Sequence, residues 1–296
     1  MLVFLTILNY LIQAVVDLLD KFLISTRKIE PVSYTFFTVV TGLVLLALWP
    51  WNFDVLPAKY VLLNLFSGAL FSLSLYVFFV ALSQGEASRV IPFVFALVPA
   101  ADMLLALVFK RRLPSIGELA AFSLLIPGAL LLSFKDTKSW HKHVLLKILS
   151  AFLFSLYYYF WKYGAQAGPT MNNLMWNRLG AAAVLVLPLA WPAYRYKIFG
   201  ARKLQNKKST SLLFLFKQLL GGVNFIFYSF LLVLGSIFTV NALQGFRYVF
   251  VFLLGFTLSK RRRHLLEEDM DRESIYRKVF GLALVFIGAL VLFLQP

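Results

Sequence analysis

Long apolar runs separated by short polar connections organise the whole chain. They cover residues 2–24, 33–51, 60–82, 88–109, 116–134, 144–164, 172–193, 211–233, 236–258 and 277–295. A helix needs roughly 20 apolar residues to cross the hydrocarbon core of a bilayer, and each run is near that length. The strict alternation of a membrane β-strand is absent. The pattern therefore predicts an all-α polytopic membrane protein with ten transmembrane helices. The first run has no basic start and no small-residue cleavage site, and it carries Asn9, Gln13 and Asp17 in its body. It reads as a spanning helix rather than a cleaved signal.

Composition closes off the soluble alternatives. Of 296 residues, 60% are hydrophobic and 14% charged, with a mean hydropathy of +0.80. Soluble domains carry about 45–50% apolar and about 25% charged residues, and one core of this size cannot hide the excess. A water-soluble enzyme, a nucleic-acid-binding domain and a disordered chain are excluded. The net charge of +16 lies mostly between the apolar runs, where topology-determining cations sit, so no nucleic-acid partner is called for. With no cysteine there is no disulfide and no thiolate chemistry. His141, His143 and His264 all fall in polar connections, which argues against a zinc site. No phosphate-binding glycine loop and no metalloprotease His-Glu pair is present, so the sequence calls for no cofactor. The longest polar connections are 135–143, 194–210 and 260–278. The last begins Lys-Arg-Arg-Arg at 260–263 and turns acidic at Glu267, Glu268 and Asp269. It reads as a solvated, topology-setting loop, with lipid headgroups as the alternative contact for its basic part.

The chain repeats itself. Shifted by 150 residues, Lys110-Arg111-Arg112 meets Lys260-Arg261-Arg262, Gly85 meets Gly235 and Phe66 meets Phe216. Shifted by 160, Gly128-Ala129-Leu130 meets Gly288-Ala289-Leu290. Lys21 and Lys162, late in the first run of each half, pair at a shift of 141. The halves are then 1–140 and 141–296, with five runs each. An odd number of spans per copy forces the copies into opposite orientations, and inverted repeats mark transporters whose site lies at the repeat interface.

Residues 80–88, Val-Ala-Leu-Ser-Gln-Gly-Glu-Ala-Ser, lead into a run holding Pro92 and Pro99, then Arg111-Arg112-Leu113-Pro114, then a run containing Pro127-Gly128-Ala129-Leu130. The second half repeats the order from Leu232-Val233-Leu234-Gly235-Ser236 to Gly288-Ala289-Leu290-Val291. In this the chain resembles the drug/metabolite transporter (DMT) superfamily, in its EamA-like branch, over nearly its whole length. Lys110 and Arg111 stand where that family often has Gly-Glu, so the resemblance points to the superfamily rather than a subfamily. It implies ten helices as two inverted five-helix repeats (5+5), and export of amino acids or other metabolites.

Polar groups inside a bilayer cost free energy and face a protein interior or an aqueous space. Asn9, Gln13 and Asp17 recur at four-residue steps on one helical face, as a stripe lining the substrate space, with Asp17 a candidate proton or cation site. Hydrogen bonding between helices is the alternative. Asp20 and Lys21, a turn further on, belong at the interface. In the ninth run Asn241, Gln244, Arg247 and Tyr248 recur at three- and four-residue steps. Arg247 lies too deep to snorkel and requires a carboxylate, a helix end or an anionic substrate group. Arg178 follows Asn177 a third of the way along the seventh run, as a ligand or an interfacial charge. Arg89 and Lys217, near the starts of their runs, are expected at the interface. Asp102 is deep and needs a partner, with Arg247 and Arg178 as candidates. Tyr157, Tyr158, Tyr159 and Trp161 form an interfacial belt or line the substrate space.

The expected substrate site is therefore Asn9, Gln13, Asp17, Arg178, Asn241, Gln244, Arg247 and Tyr248. The expected activity is secondary transport of a small metabolite by alternating access, with no enzymatic step. A carboxylate and a guanidinium in one space suit a zwitterion such as an amino acid. A flippase for a lipid-linked head group is the alternative within transport, and a membrane-bound lipid-modifying enzyme the alternative outside it. The partners are the lipid bilayer, a small-molecule substrate and a coupling proton, with a monomer or a homodimer left open. Odd-numbered connections hold twenty Lys and Arg and even-numbered ones four, with five of the 29 inside the runs. The positive-inside rule places the odd connections in the cytoplasm and both termini outside, in the cytoplasmic (inner) membrane.

Overall fold

In the computed structural model the chain is helical, and no strand occurs among the described residues, which are 2–52, 54–110, 113, 115–133, 140–199, 207–234, 243–261 and 271–294. The helices are α1 (Leu2–Lys21), α2 (Pro31–Gly42), α3 (Trp49–Asn52), α4 (Ala58–Gln84), α5 (Ala87–Lys110), α6 (Ile116–Ser133), α7 (Trp140–Gly164), α8 (Thr170–Val186), α9 (Pro192–Phe199), α10 (Lys207–Leu234), α11 (Gln244–Arg261) and α12 (Arg272–Phe293). Seven of these segments are long and apolar enough to cross a membrane, belonging to α1, α4, α5, α7, α8, α10 and α12; α2 and α6 lie in shorter apolar helices. A helix pairs most of its backbone polar groups within itself, as a bilayer interior requires. Several long apolar helices of this kind make the chain an integral, multi-pass membrane protein.

The sequence accounts for several helix ends. Pro31 opens α2 at the first helical position, where a missing N–H costs nothing. Beyond Gly42 the helix tightens into a 3₁₀ segment, Leu43–Leu48, so the run 33–51 is not one regular helix. The end of α1 passes instead into a wide π turn, Phe22–Thr26. Pro92 and Pro99 sit inside α5, and each removes one hydrogen bond of the helical ladder.

Small residues decide which helices approach closely. α4 packs on α7 and α8, α6 on α12, and α1 on α10 and α11. A Cβ on Gly68 would overlap the Asn177 carbonyl of α8, and one on Gly180 would overlap the Leu65 carbonyl of α4. Amides reinforce this contact: Asn64 Nδ2 donates to Asn173 Oδ1 at 2.6 Å, Asn177 Nδ2 to Ser67 Oγ at 2.8 Å, and Ser72 Oγ to the Ala181 carbonyl at 2.6 Å. Between lipid-like surfaces, close backbone approach and interhelical hydrogen bonds are the forces available. The α6–α12 pair is built the same way, with a Gly128 Cβ position 2.9 Å from the Gly281 carbonyl. Tyr34 of α2 is fully buried, edge-on to Phe79 of α4 at 4.9 Å and to Phe214 of α10 at 5.5 Å.

Candidate functional site

A chain of polar side chains crosses the middle of the bundle. Asn9 Nδ2 donates to Asn224 Oδ1 at 2.9 Å and to the Asn224 carbonyl at 3.1 Å. Asn224 Nδ2 donates to Gln13 Oε1 at 2.8 Å, and Gln13 Nε2 to Asp17 Oδ1 at 3.0 Å. Arg247 closes the chain, with Nε 2.7 Å from Asp17 Oδ2 and Nη2 2.9 Å from Oδ1. The four-residue spacing on α1 aims Asn9, Gln13 and Asp17 at α10 and α11 together. The fork-to-carboxylate geometry is the strongest form of ion pair, and both partners are buried.

Aromatic groups surround this pair. The Arg247 guanidinium lies 4.2 Å from the Phe95 ring centroid on α5, within the range of a cation–π contact. Tyr10, Tyr158, Tyr228 and Tyr248 lie close enough to interact with its charge. Pro99 leaves the Phe95 carbonyl without its helical donor at this depth. Tyr158 of α7 keeps 43% of its surface open.

Arg178 occupies a second position. Its guanidinium lies 5.0 Å from the Phe71 centroid and 6.0 Å from that of Phe225, and its stem packs on Gly42. It is half-buried, and among the described residues it makes no ion pair. Tyr157 lies within reach of its charge and contacts Phe71 at 5.1 Å and Tyr158 at 4.8 Å. These rings link the Arg178 position to the Arg247 position.

Of the residues expected from sequence, Asn9, Gln13, Asp17, Arg247 and Tyr248 come together. Arg178 stands apart on the far side of the tyrosines. Gln244 is half-buried one turn before Arg247, and Asn241 lies outside the described residues. Asp102 takes neither expected arginine: the Ser155 hydroxyl donates to it, and Lys162 is its charged neighbour. Tyr157 packs on Phe71 and Tyr158, and Tyr159 stacks on the outward-facing Phe109 at 5.2 Å. Asn224 is the member of the polar chain that sequence reasoning missed. Its signal is a single amide in the mostly apolar second half of its run.

The charges expected at the membrane interface are buried within the protein. Lys217 Nζ lies 2.7 Å from Asp20 Oδ1, and Tyr34 donates to the same carboxylate. Lys21 Nζ donates to carbonyls at the end of α4, at 3.0 Å from Leu82 and 2.8 Å from Gly85 just beyond it. Arg89 sits 3.1 Å from Glu86, which also pairs with Lys278, and a further Arg89 nitrogen donates to Ser274. All six charged groups are at most 5% exposed. Each found an internal partner, and for that reason none had to snorkel. Together they close one end of the bundle, where α1 and α4 end and where α5 and α12 begin.

No family model matches the chain, and no curated protein matches it. Among solved structures, one described only as the crystal structure of a protein superposes on 98% of this chain and 94% of its own, with a TM-score of 0.57 and 17% identity. At that identity the likeness is one of fold alone.

Proposed function

We propose that the protein is a secondary transporter that carries a small organic solute through the space between α1, α7, α10 and α11. The observation that carries this reading is the Asp17–Arg247 pair with its amide chain. A buried ion pair is weak evidence for stability as such, and ionisable groups at mid-membrane depth mark solute or ion paths. We read the ten apolar runs as ten spans in two inverted five-helix halves, 1–140 and 141–296. The packing supports this: α1 lies against α10 and α11 as α7 lies against α4 and α5, an offset of five spans. The DMT superfamily, in its EamA-like branch, remains the family proposed from the motifs at 80–88 and 127–130. Alternating access would then rock the halves about the central pair. The charged cluster at Glu86 and the Asp20–Lys217 pair would be the contacts that part when the closed end opens.

A thermal-shift screen of the purified protein, followed by solid-supported-membrane recordings of the hits, tests the activity. Expected is a substrate-dependent current with at least one member of a panel of amino acids, organic acids, amines and nucleosides. Ligand-independent melting and no current across the panel would refute the transporter reading.

We further propose that both termini face outward, because the cations fall twenty to four on the odd-numbered connections. Arg89, Lys147 and Lys278 of that count are buried, and removing them leaves seventeen against four. Fusion at Pro296 should give active alkaline phosphatase and a dark fluorescent protein that matures only in the cytoplasm. The reverse pattern would invert the topology.

A further inference from the structure

Five buried cations of this bundle are neutralised from within, and the half-buried Arg178 contrasts with them. Arg247 has Asp17, Lys217 has Asp20, Arg89 and Lys278 share Glu86, and Lys21 has two carbonyls. Arg178 has no ion pair among the described residues, and its buried Nε has no hydrogen-bond acceptor. Its surroundings are rings and a glycine: Phe71, Phe225, Tyr157 and Gly42. A guanidinium set among aromatic rings without a counter-charge is costly, and the described protein supplies no anion to offset that cost.

We propose that Arg178 is the docking point for a singly charged carboxylate on an apolar body, and that this carboxylate is the charged group of the transported solute. The proposal rests on the transporter reading of the same interior and narrows its substrate class. Aromatic faces beside a planar guanidinium leave its in-plane N–H edge available, which is the edge that grips a carboxylate with two parallel hydrogen bonds. Low polarity around the pair strengthens the attraction, and the rings of Phe71, Phe225 and Tyr157 offer contact to an apolar body. A doubly charged phosphate would require a second cation, and the described side chains bring only Arg178 to this position. For an ammonium group the described carboxylates are already engaged: Asp17 is held by Arg247 and Gln13, and Asp102 accepts from Ser155 beside the charge of Lys162. The site therefore favours a monocarboxylate over the zwitterion that the sequence suggested, because the two charges expected to hold the zwitterion hold each other.

Four probes with the same phenyl body decide the matter on the purified full chain in detergent: 3-phenylpropionate, phenylalanine, phenethylamine and phenyl phosphate. Binding is read by isothermal titration and thermal shift. Expected is tightest binding of 3-phenylpropionate, with phenylalanine and phenyl phosphate weaker and phenethylamine without effect. Arg178→Gln should weaken 3-phenylpropionate by at least about tenfold, the scale of a lost charge-assisted contact, and Arg178→Lys should recover part of it. Neither substitution touches the Asp17–Arg247 chain, and loss of an unpaired buried charge should leave the melting temperature of the free protein unchanged or higher. Equal or tighter binding of phenethylamine or phenylalanine by the wild type overturns the proposal without recourse to any variant. So does undiminished 3-phenylpropionate binding by Arg178→Gln. If no member of the series binds while other solutes drive current, the carboxylate assignment fails and the transporter reading stands. If nothing binds and nothing drives current, both fail.

Discussion

Gly180→Ala will separate α4 from α8 and yield a protein that no longer survives purification as a single species. The added methyl has no room: its position coincides with the Leu65 backbone, and on the opposite helix Gly68 meets Asn177 and Ala181 in the same way. Backbone atoms cannot rotate aside as a side chain can. Overpacking a well-filled interior typically costs about 1–3 kcal/mol, and a clash with main chain belongs at or beyond the top of that range. Separation also breaks the hydrogen bonds from Asn64, Ser72 and Asn177 that bridge the pair. Gly222→Ala on α10 is the matched control. Nothing lies within 4 Å of its Cβ position, and alanine's helix propensity favours the change by about 1 kcal/mol. Fluorescence-detected size exclusion after heating should show Gly180→Ala lost and Gly222→Ala equal to or better than the parent. Equal survival of both would mean that the α4–α8 contact is looser than described.

The second large effect concerns the central pair. Arg247→Gln leaves Asp17 buried with a single amide donor, Gln13, and Asp17→Asn leaves Arg247 with ring faces and no counter-charge. Removing one partner of a buried pair costs about 3–5 kcal/mol. The double variant Asp17→Asn/Arg247→Gln replaces both charges by neutral amides and strands no charge. Its loss should therefore be smaller than that of either single variant, a coupling of opposite sign to the single effects. Thermal midpoints of the four proteins complete the cycle. The double variant also separates fold from activity, since it should assemble and yet give no solute-driven current. A double variant that is as unstable as the two single losses added together would show that the residues do not act as a pair. One that transports normally would make the pair a purely structural tie.

Local spacing was legible in the sequence; partnership was not. The three α1 positions at four-residue steps declared one face, and Arg247 declared its need of a counter-charge by its depth. That Asp17 supplies it, 230 positions away in the chain, follows from how α1 meets α11, which no local pattern encodes. The same gap hides the internal partners of the charges near run ends. Lys21, Arg89 and Lys217 sit near run ends, where long side chains ordinarily reach the headgroups, and only knowledge of Glu86, Asp20 and the α4 carbonyls as neighbours turns them inward. Asn224 escaped notice because a lone amide has no period. Among the helices, the apolar runs predicted α1, α4, α5 and α7 to within a few residues. Hydropathy does not register the change from α to 3₁₀ winding beyond Gly42 within the run 33–51.

The position of α10 has a consequence for the lipid around it. Its main helical neighbour is α1, and Leu212, Leu215, Phe216, Leu219, Val223 and Ile226 are each more than half exposed. Acyl chains are as apolar as leucine, so sliding these side chains along the bilayer exchanges like for like at little cost in free energy. Yet this helix carries Asn224 to the polar chain, Lys217 to Asp20 and Phe225 to Arg178. Bilayer thickness and lateral pressure thus act directly on one wall of the interior, and the surrounding lipid becomes a component of the protein's own energetics.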